Sequence, residues 1–308
     1  MISTTKPCLP QQFHQFLLQE YWGQIFSSDE DLAYWNGSHL QTIGDEELKS
    51  VAALWLARHH PKHATHQNAN QCFREVQTQF QQHTRKPCMD SRRAIIPCRG
   101  GYLEIDKEGA VRAIEAVLEL GVSSVLAHSL PLQPGESFQF VPFSPTSAFQ
   151  KFLNETLPDS GHQIQLQKQC GNLLLSGKGM RVHWAGDDEA RETMIRIAAE
   201  LQSRVQTVRG VELEKPSNLK TLLGASWVIV EGQGKREKLV HLSPEMKYLW
   251  TYPTSLALAG STLDWKISTT ERGIDFPKEV WQEERAAIFS WMVEGAQLFF
   301  LGAAIDKN

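Results

Sequence analysis

Four prolines within fifteen positions, Pro131, Pro134, Pro142 and Pro145, place the strongest constraint on how this chain can fold. Proline fixes φ and lacks an amide donor, so such a stretch cannot form a helix interior or a central strand. Phe138, Phe140 and Phe143 are interleaved with it. The segment reads as an extended connector. It divides the chain into an N-terminal α+β domain over residues 1–130, a connector over 131–147 and a second domain over 148–308. A length of 308 residues suits two domains, each large enough to bury a core.

The composition is 41% apolar and 21% charged, which excludes collagen-like, fully disordered and coiled-coil chains. Thirty-one basic residues stand against thirty-five acidic ones, a net charge of −4. A chain that coats DNA by charge alone is basic overall, so nucleic-acid contacts have to be local. Residues 1–100 hold ten Lys/Arg against nine Asp/Glu, so the remaining chain carries the acidic excess. Arg85, Lys86, Arg92, Arg93 and Arg99 face only Asp90 in their stretch and form a basic island. Phosphate contact is its functional reading. No run of about 18 apolar residues occurs, so no membrane span is expected. With no secretory h-region and five unpaired-looking cysteines, the expected location is cytoplasmic.

Apolar spacing predicts a helix from Gln11 toward Phe26, and Asn36-Gly37 is the strongest hairpin signal. A helix is expected from Asp45 to about His60, and another over Ala69–Gln82. Ala94 to Ile105 reads as two strands turning at Gly100-Gly101, and Ala110–Leu120 as a short helix ending at Gly121. Helices are expected over Ala148–Leu157, Gln163–Leu175, Met194–Val205 and Glu283–Leu301. Short strands are expected at Met180–Trp184, Trp227–Val230 and Ser255–Gly260. The predicted fold class is α/β: a small mixed N-terminal domain, then a P-loop (AAA+-like) domain with a mostly parallel sheet.

The order of four segments resembles the helicase part of phage and plasmid primase-helicase proteins, a superfamily 3, AAA+-type module behind a small N-terminal domain. Ile95-Ile-Pro-Cys-Arg-Gly-Gly-Tyr-Leu-Glu-Ile is similar to that family's I-P-x-x-N-G-x-L-D-L segment. Phe149 to Asp159 and Gln165 to Leu174 resemble its helical lead-in. Arg181 to Leu201 takes the place of the nucleotide loop. Ala287-Ile-Phe-Ser-Trp-Met-Val-Glu-Gly resembles its G-I-x-N-W-x-L-E-G helix. The resemblance implies an ATPase fold, ring assembly and DNA as partner.

The catalytic motif departs from that pattern. A P-loop needs G-x-x-x-x-G-K-[ST], where backbone amides cradle phosphate and Lys neutralises it. The matching residues are Gly186, Asp187, Asp188, Glu189, Ala190, Arg191, Glu192 and Thr193. Arg191 replaces the second glycine, and Glu192 replaces the lysine. Each carboxylate at about 4 Å from a phosphate repels it by roughly 1 kcal/mol or more. Gly171 to Gly179 has the wrong glycine spacing to substitute. Glu231 resembles the acid that ends a magnesium-ordering strand, but Gly232-Gln233-Gly234 follows in place of a second acid. The implied protein is a pseudo-ATPase without nucleotide cofactor or metal.

His59, His60, His63 and His66 with Cys72, Cys88 and Cys98 lack paired zinc spacing and read as surface histidines. No G-x-S-x-G elbow supports a hydrolase. Trp22 and Trp35 are the better candidates for stacking bases, and Trp184, Trp227 and Trp291 for packing. The expected function is that of a non-catalytic accessory of phage or mobile-element DNA replication. It would bind single-stranded or forked DNA, assemble as a homo-oligomer, or both. The alternative is an inhibitor that occupies a host or element-encoded protein complex, with the acidic loop meeting a basic partner.

Overall fold

A computed structural model describes residues 8–21, 23–28, 31–83, 93–130, 132–176, 180–185, 205–209, 227–231, 247–252, 266–268 and 278–305. The chain forms two compact units, Met1–Asp90 with Val117–Ser124, and Ser91–Ala116 with Val125–Asn308.

In the first unit, α1 (Leu9–Glu20) presents Phe13 and Leu17, one turn apart, to the interior. Strands β1 (Ile25–Ser28), β2 (Asp31–Trp35) and β3 (Leu40–Ile43) follow as an antiparallel meander. The β2–β3 turn works as its sequence suggests. The Asn36 carboxamide oxygen accepts from the amides of Ser38 and His39 at 3.0 and 2.9 Å. Gly37 supplies the left-handed φ of +92° that the turn needs. Helix α2 runs over Asp45–His59, with Gly44 as its cap. Asp45, Glu46 and Glu47 in its first turn and Arg58 and His59 in its last complement the helix dipole. Helix α3 (His66–His83) completes the unit. Its core joins Phe13, Leu17, Ile25, Trp55, Val76 and Phe80.

The second unit begins with β4 (Ala94–Cys98), β5 (Gly101–Ile105) and β6 (Val111–Ile114), an antiparallel meander. The segment expected to be a helix at Ala110–Leu120 is therefore a strand, then a single 3-10 turn at Leu118–Leu120. Val111 and Ala113 are buried while Arg112 is exposed, the alternation of a half-buried strand. The proline-rich segment lies along the free edge of β6. The Ala113 N–H donates to Glu136 O at 2.8 Å and the Phe138 N–H to Val111 O at 2.9 Å. An edge needs few donors, so prolines are tolerated beside it.

Helices α4 (Ala148–Thr156), α5 (Ser160–Leu174) and α6 (Lys278–Ile305) form one core with this sheet. Phe149, Phe152, Leu166, Phe289 and Met292 lie within it. The carboxylate of Glu284 on α6 accepts from the Ala148 and Phe149 amides at 2.7 and 3.3 Å, and from the Ser147 hydroxyl. It thus satisfies amide donors at the start of α4 that no intrahelical carbonyl reaches. Helices α5 and α6 cross at glycines. A Cβ on Gly171 would lie 1.9 Å from Ala296 N, and one on Gly295 would lie 1.9 Å from Gln167 O.

The two antiparallel three-stranded sheets correct the expected fold class of a mixed N-terminal domain followed by a P-loop domain with a mostly parallel sheet. The described core of the second unit includes the β4–β6 meander. The physical reason is connection length. Two- and five-residue links join β4 to β5 and β5 to β6, and links that short permit only antiparallel neighbours. Five further strands do pair in parallel, in the order β11-β7-β10-β9-β8. They are β7 (Met180–Ala185), β8 (Val205–Arg209), β9 (Trp227–Glu231), β10 (Lys247–Tyr252) and β11 (Lys266–Ser268). Their parallel backbone ladder is what the structure describes of them. The helix expected at Met194–Val205 and the strand at Ser255–Gly260 lie outside the described residues, apart from Val205, which opens β8.

Candidate nucleic-acid interface

From Leu48 to Arg74 the chain carries Lys49, Arg58, Lys62, Arg74 and four histidines, and not one Asp or Glu. The structure places this acid-free stretch on α2, the turn after it and the first half of α3. Arg58, Lys62, His63, His66 and Arg74 are all exposed. Lys49 is committed elsewhere, paired with Glu46 at 2.7 Å and lying 5.1 Å over the Phe73 ring. That lysine also holds the Glu46 carboxyl below its ordinary range, chiefly through the hydrogen bond. Arg58, Lys62 and Arg74 have no carboxylate partner among the described residues.

The turn that joins the helices is held by named groups. Pro61 opens a 3-10 turn at Pro61–His63. The Asn68 side-chain amide donates to His63 O at 2.8 Å, and Thr65 Oγ1 accepts from the Asn68 amide at 3.2 Å. The His60 and His59 rings rest on the buried Trp55 indole, with centroids 4.9 and 6.1 Å away. The His59 ring also faces Phe16 at 6.1 Å. These histidines are thereby fixed to an aromatic shelf at the end of α2. Among the described residues no three His, Cys, Asp or Glu side chains come together as metal ligands.

The basic island expected at Arg85–Arg99 is not one patch as far as it is described. Arg85, Lys86 and Arg92 lie outside the described residues. Arg93 and Arg99 bracket β4 from opposite ends, about 20 Å apart at strand rise. Arg93 is drawn to Glu104 on β5 at 3.4 Å, and Arg112 reaches the same carboxylate from the directly opposed position on β6 at 3.1 Å. Glu104 itself is nearly buried, so each guanidinium spends part of its charge on it. Arg99 keeps its side chain exposed, while its backbone bonds His128 O and, through its own carbonyl, the Leu130 amide.

Of the nucleotide-loop residues, Gly186, Asp187, Asp188, Glu189, Arg191, Glu192 and Thr193 lie outside the described residues. Glu231 is the last residue of β9, opposite Thr251 of β10 and Arg209 of β8. Trp35 is half-buried and Trp22 is outside the described residues. No cluster of cations marks the acid-free stretch in the sequence. Its signal is the absence of acids over a long stretch, which a count of basic residues overlooks. No protein-family model and no curated protein matches the chain.

Proposed function

We propose that the chain is a non-catalytic DNA-binding protein whose first unit contacts the phosphate backbone through the edge formed by α2, its turn and α3. The observation that carries this reading is the exposed set Arg58, Lys62 and Arg74 in a stretch without a single carboxylate. Cations without a carboxylate partner release counterions from DNA, and that release supplies most non-specific affinity. The overall charge of −4 leaves this edge as a local feature, which suits a protein that docks on DNA by one face. An accessory role in phage or mobile-element replication is supported by the resemblance in segment order alone, as are ring assembly and a silent ATPase site. Among the described residues no helix is long and apolar enough to cross a membrane.

The test is fluorescence anisotropy with labelled single-stranded, forked and duplex DNA between about 50 and 200 mM salt. Saturable binding that weakens with salt is expected. Arg58→Glu with Lys62→Glu should lower affinity on every substrate by tenfold or more and flatten the salt slope by about two. No binding at the lowest salt would reject the reading. Titration calorimetry with ATP and magnesium should show no heat of binding, and micromolar affinity would restore an ATP-dependent reading.

A further inference from the structure

We infer that α3 is a reading helix, placing Gln67, Gln71, Arg74 and Thr78 against base edges in the major groove of duplex DNA. This deepens the DNA-binding reading above and rests on it.

The helix has two opposite faces. Ala69, Cys72, Phe73, Val76 and Phe80 are buried. Gln67, Gln71, Arg74 and Thr78 are exposed and recur at intervals of four, three and four, which is a single stripe. At 1.5 Å per residue that stripe is about 16 Å long, the height of about five stacked base pairs.

Its chemistry is unusual for a solvent face. A helix that only needs solubility uses Lys and Glu pairs. Of the eighteen residues of α3, six are Gln and two are Asn, and only Arg74 and Glu75 carry full charge. A carboxamide offers one donor and one acceptor side by side, the complement of adenine N6 and N7. A guanidinium matches guanine O6 and N7, and a threonine methyl suits the thymine methyl. Two other amides are already engaged, Asn70 with the His66 ring at 3.1 Å and Gln79 with Glu75 at 3.1 Å. Gln67, Gln71 and Arg74 make no side-chain hydrogen bond or ion pair among the described residues. Glu75 sits on the shoulder of the stripe, where a carboxylate can accept from the exocyclic amine of cytosine or adenine.

Charge and shape select the occupant. Arg58 and Lys62 lie at the N-terminal end of α3, placed to hold flanking phosphates and set the register of the helix. Single-stranded DNA needs exposed aromatic platforms on which bases stack. Among the described residues of the first unit the exposed large apolar side chains are Leu54 and Val117, and neither is aromatic. An α-helix with a polar amide stripe fits the wide groove of a duplex instead.

The experiment is selection of bound sequences from a random duplex library with the full chain, then anisotropy on the selected duplex and on a scrambled one. The wild-type chain should prefer the selected duplex by about tenfold or more. Gln67→Ala with Gln71→Ala should erase that preference while leaving scrambled-duplex affinity and its salt slope unchanged. Gln19→Ala, an exposed amide on α1, should change neither. Unchanged circular dichroism shows that the variants fold. Binding without enrichment, enrichment that survives the double variant, or tighter binding to single strands would each overturn the inference and leave the electrostatic reading standing. No binding to any DNA would overturn both.

Discussion

Gly171→Ala is the most demanding perturbation of the second unit. The added Cβ would meet Ala296 N at 1.9 Å and Gly295 C at 2.2 Å. Ordinary contact is about 3.5 Å, so α5 and α6 would have to part by about 1.5 Å. Both obstacles are backbone, and no side-chain rotation relieves them. Overpacking alone costs about 1–3 kcal/mol. Parting the helices also opens gaps around Cys170, Met292, Val293 and Ala296, all at most 1% exposed. Each lost methyl-sized contact adds about 1 kcal/mol. Replacing a helical glycine returns about 1 kcal/mol of propensity. The net expectation is a loss of at least about 2–3 kcal/mol, a large share of a typical domain's stability. The assay is urea unfolding followed by circular dichroism and tryptophan fluorescence. Gly302→Ala supplies the matched control, since it lies on the same helix with nothing within 4 Å of the added atom. It should be neutral or stabilising by up to about 1 kcal/mol. A Gly171→Ala protein as stable as wild type would refute the close crossing.

Other consequences can be measured separately. Glu284→Ala removes the acceptor for two α4 amides and the Ser147 hydroxyl, and should cost about 2–4 kcal/mol, with partial rescue by Glu284→Gln, read by thermal melting. Burial pushes the Cys98 and Cys170 thiols up to about 12 and Cys72 up to about 11, whereas Cys8 is exposed. Of these four, only Cys8 should react rapidly with a thiol reagent in the native protein. Burial, with a smaller contribution from Arg285, lowers His128 to about 4, and its ring stacks on Phe289 at 3.7 Å. Neutral His128 therefore supports the fold above about pH 6.5, the unfolded value. Between there and about pH 4 the unfolded chain takes up a proton that the folded chain refuses. Stability should fall over that window by about 1–2 kcal/mol, allowing for the partly exposed ring, and His128→Phe should flatten the urea midpoint there.

Much of the local structure was legible because it is dictated locally. Asn36-Gly37 encodes its own turn, and the acids after Gly44 and the apolar spacing of Phe149, Phe152 and Leu153 encode helices. Val111-Arg-Ala-Ile was misread because helix-compatible residues lie on both sides of it. Pairing with β5, a tertiary influence, decides its state. The fold class was misjudged for a related reason. Apolar runs such as Trp227–Val230 announce strands, but they do not reveal how strands elsewhere in the chain pair. Arg93 and Arg99 lie apart because a strand separates residues as fast as sequence number rises. The α2–α3 edge was visible only as missing charge, and its exposure required the helix phases that the structure supplies.

The hydrogen bond from the Leu40 amide to Val122 O, 2.7 Å long, has a consequence for how this protein can be cut. Val122 belongs to an eight-residue excursion, Val117–Ser124, that returns to the first unit after the chain has already built β4–β6 of the second. The polypeptide thus passes between units three times. A fragment ending at Asp90 would leave the Leu40 donor without its acceptor and omit the wholly buried Val122 side chain. One proteolytic nick cannot release either unit intact. Dissecting the protein into halves therefore calls for a permuted or two-piece chain, with 117–124 supplied alongside the first ninety residues.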